Sequence, residues 1–145
     1  MCNLSLNDII VTPLKRIPTD GGDVMHALKY SDNEFNGFGE VYFSWVDQGV
    51  IKAWKCHKRM TLNLLVPLGE VCFVFHLTEE RDVFRTVKLG HDRYSRLTIP
   101  PGIWFGFQGV ASESSLLMNA ADIEHDPNEV LRKPVTCFDY NWSLE

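Results

Sequence analysis

The sequence predicts an all-β sandwich or barrel, and three observations lead to that prediction. Short runs rich in β-branched and aromatic residues recur along the chain. Strong turn signals, such as Pro67-Leu-Gly69 and Pro100-Pro-Gly102, separate these runs at close intervals. The one helix-like stretch is short, and there is no internal repeat or linker. The 145 residues fit a single domain, residues 1–145, that is large enough to bury a core without disulfides.

The predicted strands begin at residue 39 and follow one another closely. They share a short length and a β-branched or aromatic composition: residues 39–46, 50–54, 62–66, 70–77, 83–89, 96–99, 103–110 and 115–119. Residues 20–23 and 31–39 are predicted to be irregular. A short helix is predicted around residues 127–131, with Asp126 as its N-cap and Pro127 at its first position.

Charge and composition argue against several classes of function. The net charge of -5 disfavours a nucleic-acid surface or an anionic membrane surface. No apolar run approaches the length of a membrane span, and the N-terminus lacks the pattern of a signal peptide. The 4 cysteines form no CxxC pair and are wrongly spaced for a zinc site. We therefore expect reduced thiols and a cytoplasmic protein.

Residues 49–69 have a spacing that resembles the first sequence motif of the cupins. That motif consists of a glycine, two histidines, a glutamate and a closing glycine. Gly49, His57 and Gly69 match it, whereas Lys55 stands in place of the first histidine and Leu62 in place of the glutamate. The resemblance, together with the many short strands, implies a double-stranded β-helix, which is the cupin form of the jelly roll.

The replaced residues predict a site without a metal. A cupin metal ion is held by imidazole and carboxylate ligands from four positions. In this chain those positions hold Lys55, His57, Leu62 and Phe105, so one ligand in four remains. A histidine beside an ammonium group binds a divalent ion poorly, because the positive charge repels the ion. We expect no metal and no cofactor, which disfavours a metal-dependent oxygenase.

The same positions suit metal-free proton transfer. His57 is predicted to be a general acid or base, and Lys55, two residues away on the same strand face, to be a second base or a cation that stabilises an enolate or a phosphate. The predicted substrate-binding residues are aromatic or polar side chains near this pair: Tyr42, Lys52, Trp54, Asn63, Trp104 and Phe105. Ordinary roles stay open, since His57 can be a hydrogen-bonded strand residue and the aromatic rings can be core.

Residues 20–142 resemble the metal-free sugar-nucleotide cupins related to dTDP-4-dehydrorhamnose 3,5-epimerase. The resemblance rests on Gly39-Glu-Val-Tyr-Phe-Ser followed by Gly49-Val-Ile-Lys-Ala-Trp, on Ile99-Pro-Pro-Gly-Ile-Trp-Phe-Gly-Phe107 and on Phe138-Asp-Tyr-Asn-Trp142. In that family a histidine removes the proton next to a C4 ketone, a lysine stabilises the enolate, and a tyrosine returns a proton. Those family positions, with the histidine of the second motif, hold other residue types here: Lys55, Leu62 or Asn63, Met118 and Phe105.

A second resemblance covers the centre of the motif. Lys52-Ala-Trp-Lys-Cys-His-Lys58 is similar to the Arg-Gly-x-His-Ala-His-Lys run of the 3,4-ketoisomerases that act on dTDP-4-keto-6-deoxyglucose. That similarity implies that His57 moves a proton between C3 and C4. The two resemblances imply an isomerase or epimerase that acts, as a homodimer, on a nucleotide-linked 4-keto-6-deoxyhexose carried by dTDP. The alternative is a non-catalytic nucleotide-sugar-binding cupin, a pseudoenzyme.

Overall fold

The computed structural model describes residues 3–143 and contains two five-stranded antiparallel sheets that share one apolar core. The strands are β1 (Ile10–Pro13), β2 (Arg16–Ile17), β3 (Val24–Met25), β4 (Glu40–Val46), β5 (Ile51–His57), β6 (Leu62–Leu68), β7 (Glu70–His76), β8 (Phe84–Gly90), β9 (Ser95–Ile99), β10 (Trp104–Gly109), β11 (Ser115–Ala121) and β12 (Val130–Arg132). The first sheet has the order β1-β9-β6-β11-β4, and the second has the order β12-β5-β10-β7-β8. β2 and β3 form a separate two-stranded sheet.

The all-β prediction is confirmed, and each predicted strand corresponds to an observed one. β5 runs to His57, three residues beyond the predicted end of that strand at residue 54. The short strands β1, β2 and β3 were not predicted, because their two to four residues are too few to show an alternating pattern. The predicted irregular residues 20–23 lie in the turn between β2 and β3.

The predicted helix around residues 127–131 is wrong. Residues 127–129 form a turn in which the Glu129 N–H donates to the Asp126 carbonyl at 3.1 Å and the Asn128 N–H to the Asp126 carboxylate at 2.9 Å. Val130–Arg132 then pairs with the free edge of β5. A single helical turn gains few hydrogen bonds for the backbone order it requires, so pairing with an existing strand is favoured.

Side chains that alternate along the strands fill the space between the two sheets. On β7, Val71, Phe73 and Phe75 are fully buried in this core, and on β11 every second residue is buried. A second apolar cluster covers the outer face of the second sheet, where Trp54 and Trp104 pack beneath aromatic residues of the C-terminal segment.

Two glycines permit close approaches near the site. Gly69 has a φ of 86°, and a Cβ there would lie 2.2 Å from the Ser115 Oγ, so the closing glycine of the motif holds β6 and β7 against β11. A Cβ on Gly106 would lie 2.4 Å from that of Ala53. β10 and β5 therefore approach closely where the register of β5 shifts between Phe105 and Phe107.

In residues 3–143, no helix is long and apolar enough to cross a bilayer. Cys56, Cys72 and Cys137 are free thiols, and Cys2 lies outside the described residues.

Candidate active site

A cavity of about 120 Å³ opens between the two sheets, against the inner face of β5. Five strands supply its lining: Tyr42 and Ser44 from β4, Lys52, Lys55 and His57 from β5, Leu62 and Leu64 from β6, Phe105 and Phe107 from β10, and Leu117 and Asn119 from β11. The cavity is well below the roughly 300–1,000 Å³ of a pocket for a drug-sized ligand, so it can enclose only a small part of a larger molecule.

All four positions that carry metal ligands in metal cupins face this one cavity: Lys55, His57, Leu62 and Phe105. The cupin frame is therefore intact, although the residues in it have changed. Among residues 3–143, no three His, Cys, Asp or Glu side chains are grouped so that they could hold a metal ion.

A bulge in β5 brings a third basic side chain to the cavity. Phe105 on β10 pairs with Lys55, whereas Phe107, two residues later, pairs with Lys52, three residues earlier on β5. The extra residue on β5 moves Lys52 onto the face of Lys55, although an odd spacing would place the two on opposite faces of a regular strand. Lys52, Lys55 and His57 consequently share one face.

His57 forms a buried pair with a glutamate that the sequence analysis missed. The Nδ1 atom of His57 is hydrogen-bonded to the carboxylate of Glu129, which is 2% exposed. The same carboxylate accepts hydrogen bonds from the backbone N–H groups of Arg59 and Met60, each at 3.2 Å. Burial, the largest influence, raises the pKa of Glu129, but these hydrogen bonds together hold it below its ordinary value.

This pairing orients the imidazole for chemistry at its other nitrogen. Glu129 occupies Nδ1, and Phe105 stacks on the ring with centroids 6.1 Å apart. Nε2 has no hydrogen-bond partner among residues 3–143. A neutral His57 that donates through Nδ1 therefore presents Nε2 as a proton acceptor, and the carboxylate stabilises the imidazolium that forms.

Lys55 is a half-buried cation without a carboxylate partner. The ion pairs within residues 3–143 do not include it. Burial, followed by the charges of Arg132 and Lys52, lowers the pKa of its amine. Arg132 lies directly opposite Lys55 in the β5–β12 register. The amine can thus serve as a hydrogen-bond donor to an oxyanion or, when neutral, as a base or nucleophile.

Tyr42 and Asn119 form the opposite wall of the cavity. The Tyr42 hydroxyl accepts a hydrogen bond from the Asn119 amide at 2.8 Å, which leaves its own proton available. Burial, the largest influence, raises the pKa of the Tyr42 phenol, so it stays protonated at neutral pH. The Asn119 Oδ1 is buried and has no partner in the described part of the chain. A bound ligand with a hydroxyl group could supply one.

Three of the predicted substrate-binding residues do not face this cavity. Trp54 and Trp104 adjoin Lys55 and Phe105 in sequence, so strand alternation directs both indoles to the outer face. The Trp54 Nε1 donates there to the Val135 carbonyl at 3.1 Å. Asn63 points to the opposite side of β6 from the cavity: it donates to the Glu34 carbonyl at 3.1 Å and accepts from the Thr98 hydroxyl at 2.6 Å.

The predicted residues that the structure brings together are Tyr42, Lys52, Lys55, His57 and Phe105. Sequence reasoning missed Glu129 for two reasons. This residue lies 72 residues from His57 in the chain, and it was predicted to belong to a short helix. Its one local signal was the Asp126-Pro127-Asn128 turn, which predicts a reversal of the chain. It also missed Asn119, a polar residue on the inward-facing side of a largely apolar strand.

Comparisons with known proteins give matches among solved structures. No protein-family model matches the chain, and no curated protein sequence matches it either. A dTDP sugar isomerase from Desulfovibrio desulfuricans G20 is 35% identical, with a TM-score of 0.87, over 92% of this chain and 90% of that chain.

Two more distant structures share the fold. The sugar 3,4-ketoisomerase QdtA from Thermoanaerobacterium thermosaccharolyticum, in complex with TDP, is 20% identical with a TM-score of 0.75, over 89% of this chain and 90% of its own. The dTDP-4-dehydrorhamnose 3,5-epimerase from Sulfolobus tokodaii is 21% identical with a TM-score of 0.78, over 95% of this chain and 83% of its own. At this identity they show the fold alone, and the predicted cupin jelly roll is confirmed.

Proposed function

We infer that this chain, which belongs to the family of the dTDP sugar isomerase and is thus a nucleotide-sugar cupin, isomerises or epimerises a nucleotide-linked 4-keto-6-deoxyhexose. The resemblance inferred from the sequence is confirmed by that membership. The observation that carries the proposed reaction is the pairing of His57 with buried Glu129 beside Lys55, in a cavity of about 120 Å³. That cavity suits the sugar, with the nucleotide outside it.

His57 is proposed to take the proton from the carbon next to the C4 ketone. A carbon acid beside a ketone loses its proton readily only when the enolate oxygen is stabilised and the base is held in place. Glu129 holds the imidazole and stabilises its protonated form, while the half-buried Lys55 amine is the cationic donor for the enolate oxygen. Both groups come from side chains of this chain, without a metal.

Tyr42 is proposed as the acid that returns a proton from the other wall of the cavity. Its raised phenol pKa, due first to burial, keeps the proton in place at neutral pH. Its oxygen is held by the Asn119 amide at 2.8 Å. A base on β5 and an acid on β4 can thereby act on opposite faces of a sugar ring.

The nucleotide is proposed to lie at the mouth of the cavity, near the exposed cations Lys52 and Arg132. Pyrophosphate carries negative charge that such side chains recognise. TDP is bound in the QdtA structure, which supports dTDP as the carrier here.

The test is proton exchange. The protein is incubated with dTDP-4-keto-6-deoxyglucose in deuterated buffer, and the label at C3 and C5 is followed by NMR and mass spectrometry. We expect label above the enzyme-free blank, with product formation. Binding in a thermal-shift assay without label would instead support the non-catalytic nucleotide-sugar-binding cupin. Neither binding nor label would contradict both functions for this carrier and sugar.

A homodimer in the cytoplasm is also proposed. β4 is an edge strand of the first sheet, and Phe43 and Trp45 on its outer face are 59% and 58% exposed. A second copy would cover this apolar edge. Light scattering on the wild type and a Trp45→Lys variant tests the dimer, which the substitution should weaken. The free thiols of Cys56, Cys72 and Cys137 support a reducing compartment, and fractionation of the native cells tests it.

A further inference from the structure

Three lysines lie on β5 or directly after it, and they differ in what their amines contact. The Lys52 amine donates to the Trp45 carbonyl at 3.0 Å, and the Lys58 amine donates to the Asn128 carbonyl at 2.9 Å. The Lys55 amine faces the cavity and has no hydrogen-bond or ion-pair partner among residues 3–143. Of the three, Lys55 is the one whose nitrogen is free to react with a bound molecule.

The surroundings of Lys55 make its amine easier to deprotonate than that of an exposed lysine. Burial is the largest influence that lowers its pKa, and the charges of Arg132 and Lys52 add to it. Glu129, the buried carboxylate of this site, is engaged with His57 and two backbone N–H groups. A desolvated lysine beside other cations is an arrangement that activates amines as nucleophiles towards carbonyl groups.

We propose that Lys55 is a covalent nucleophile that forms an imine with the ketone of the bound sugar. This inference rests on the proposed function, because it takes the 4-keto-deoxyhexose as the ligand. It changes the role of Lys55 from a donor that stabilises an enolate to the residue that carries the reacting carbon. Such an imine would also anchor the sugar inside the small cavity, next to His57.

The chemistry balances without a cofactor. The neutral Lys55 nitrogen bonds to C4, the carbonyl π bond breaks, and the oxygen takes up the proton that the nitrogen releases. A further proton, from the Tyr42 hydroxyl, lets water leave and gives the iminium ion. Because the iminium withdraws electrons, His57 can remove a proton from the neighbouring carbon to give an enamine. Tyr42, once it has recovered a proton from solvent, protonates that carbon from the other face. Water then hydrolyses the iminium, which releases the epimer and the neutral amine, and the proton set free returns Tyr42 to its neutral form while His57 loses its own proton to solvent.

This route is compatible with epimerisation but not with 3,4-ketoisomerisation, the two reactions that the sequence resemblances imply. An enamine that is protonated at C3 or C5 returns to an iminium, which water can hydrolyse. Protonation at C4 would instead produce a 3-ketone whose C4 stays bonded to the lysine nitrogen as an amine, and the product could not leave. An imine at Lys55 therefore predicts epimerisation next to C4 and excludes a shift of the carbonyl from C4 to C3.

Reductive trapping tests the imine. The intact protein is incubated with dTDP-4-keto-6-deoxyglucose and sodium cyanoborohydride, which reduces iminium ions in preference to ketones, and the modified peptide is mapped by mass spectrometry. We expect a sugar-nucleotide adduct on Lys55. It should be lost in Lys55→Arg, which keeps the charge but is not a nucleophile, and retained in the matched control Lys58→Arg. A thermal-shift measurement confirms that each variant is folded.

Deuterium exchange measured in parallel separates this inference from the proposed function. Label in the sugar together with an adduct on Lys55 supports both. Label without an adduct overturns the imine and leaves the proton-transfer function standing. Neither label nor adduct overturns both. Equal adducts on Lys55 and surface lysines would show non-selective reductive amination and would overturn the imine as well.

Discussion

The inner and outer faces of β5 differ in whether the polar atoms of their side chains find hydrogen-bond partners within the folded chain. On the outer face, Trp54 is buried, donates its Nε1 proton to the Val135 carbonyl and packs against Phe138 and Trp142. On the inner face, the Lys55 amine and the His57 Nε2 face a cavity and have no partner among residues 3–143. Folding therefore supplies a partner for the polar atom of the outer face, whereas the two nitrogens of the inner face stay available to a ligand. If the proposed function holds, neighbouring residues of one strand thus serve stability and chemistry separately.

The largest effect is expected for His57→Asn on the inner face. Asparagine retains a donor for the Glu129 carboxylate but cannot accept the proton from carbon. The rate of deuterium exchange into the sugar should fall by about 10²–10⁴-fold, the usual contribution of a general base. The thermal midpoint should change little compared with the wild type. Exchange at the wild-type rate would show that the inner face does not carry the reaction.

Trp54→Ala on the outer face should lower the free energy of unfolding. The indole is 1% exposed, so its removal leaves a cavity and an unpaired carbonyl. The expected loss is about 3–5 kcal/mol in the free energy of unfolding, measured by urea denaturation. Lys55→Gln is the matched inner-face control and should lose much less. If Trp54→Ala keeps its stability yet loses ligand binding, the outer face takes part in recognition, as the sequence alone suggested.

Glu129 should make the free energy of unfolding depend on pH in the acid range. Its pKa in the folded protein lies below the ordinary value of 4.5, since the hydrogen bonds to its carboxylate outweigh the effect of burial. The unfolded chain therefore binds more protons, and the stabilisation is present above 4.5 and is lost as the pH falls through the folded value. Urea denaturation across this range should show a steeper acid loss for the wild type than for Glu129→Gln. Parallel curves for both proteins would contradict the buried pair.

Lys52→Ala should have the smallest effect, because this side chain is exposed at the cavity mouth. Calorimetry with dTDP should show binding weakened by about tenfold, or ~1.4 kcal/mol. The difference from wild type should shrink as salt is added, since exposed charges are screened. Lys58→Ala is the matched control and should bind as the wild type does. An equal loss in both variants would indicate a diffuse charge effect rather than a contact at the mouth.

Much of the inner face could be predicted because its pattern is local. His57 and Lys55 are two residues apart on a strand, so alternation alone predicts that they share a face. Gly69 marks the turn after β6, and its positive φ explains why a glycine stands there. The same alternation argues against Trp54 and Trp104 as cavity residues, since each adjoins a residue that faces inward.

The sequence by itself determined the strands from β4 to β11, the turns between them and the shared face of Lys55 and His57, because side-chain alternation and turn chemistry are properties of neighbouring residues. Only the tertiary structure decided what completes that pair. Glu129 reaches His57 across 72 residues, and Arg132 reaches Lys55 because the chain end pairs with β5. The bulge that turns Lys52 inward depends on how β5 meets β10. These features come from long-range strand pairing. The register of that pairing is set by the packing of the whole core, so no local sequence pattern predicts it.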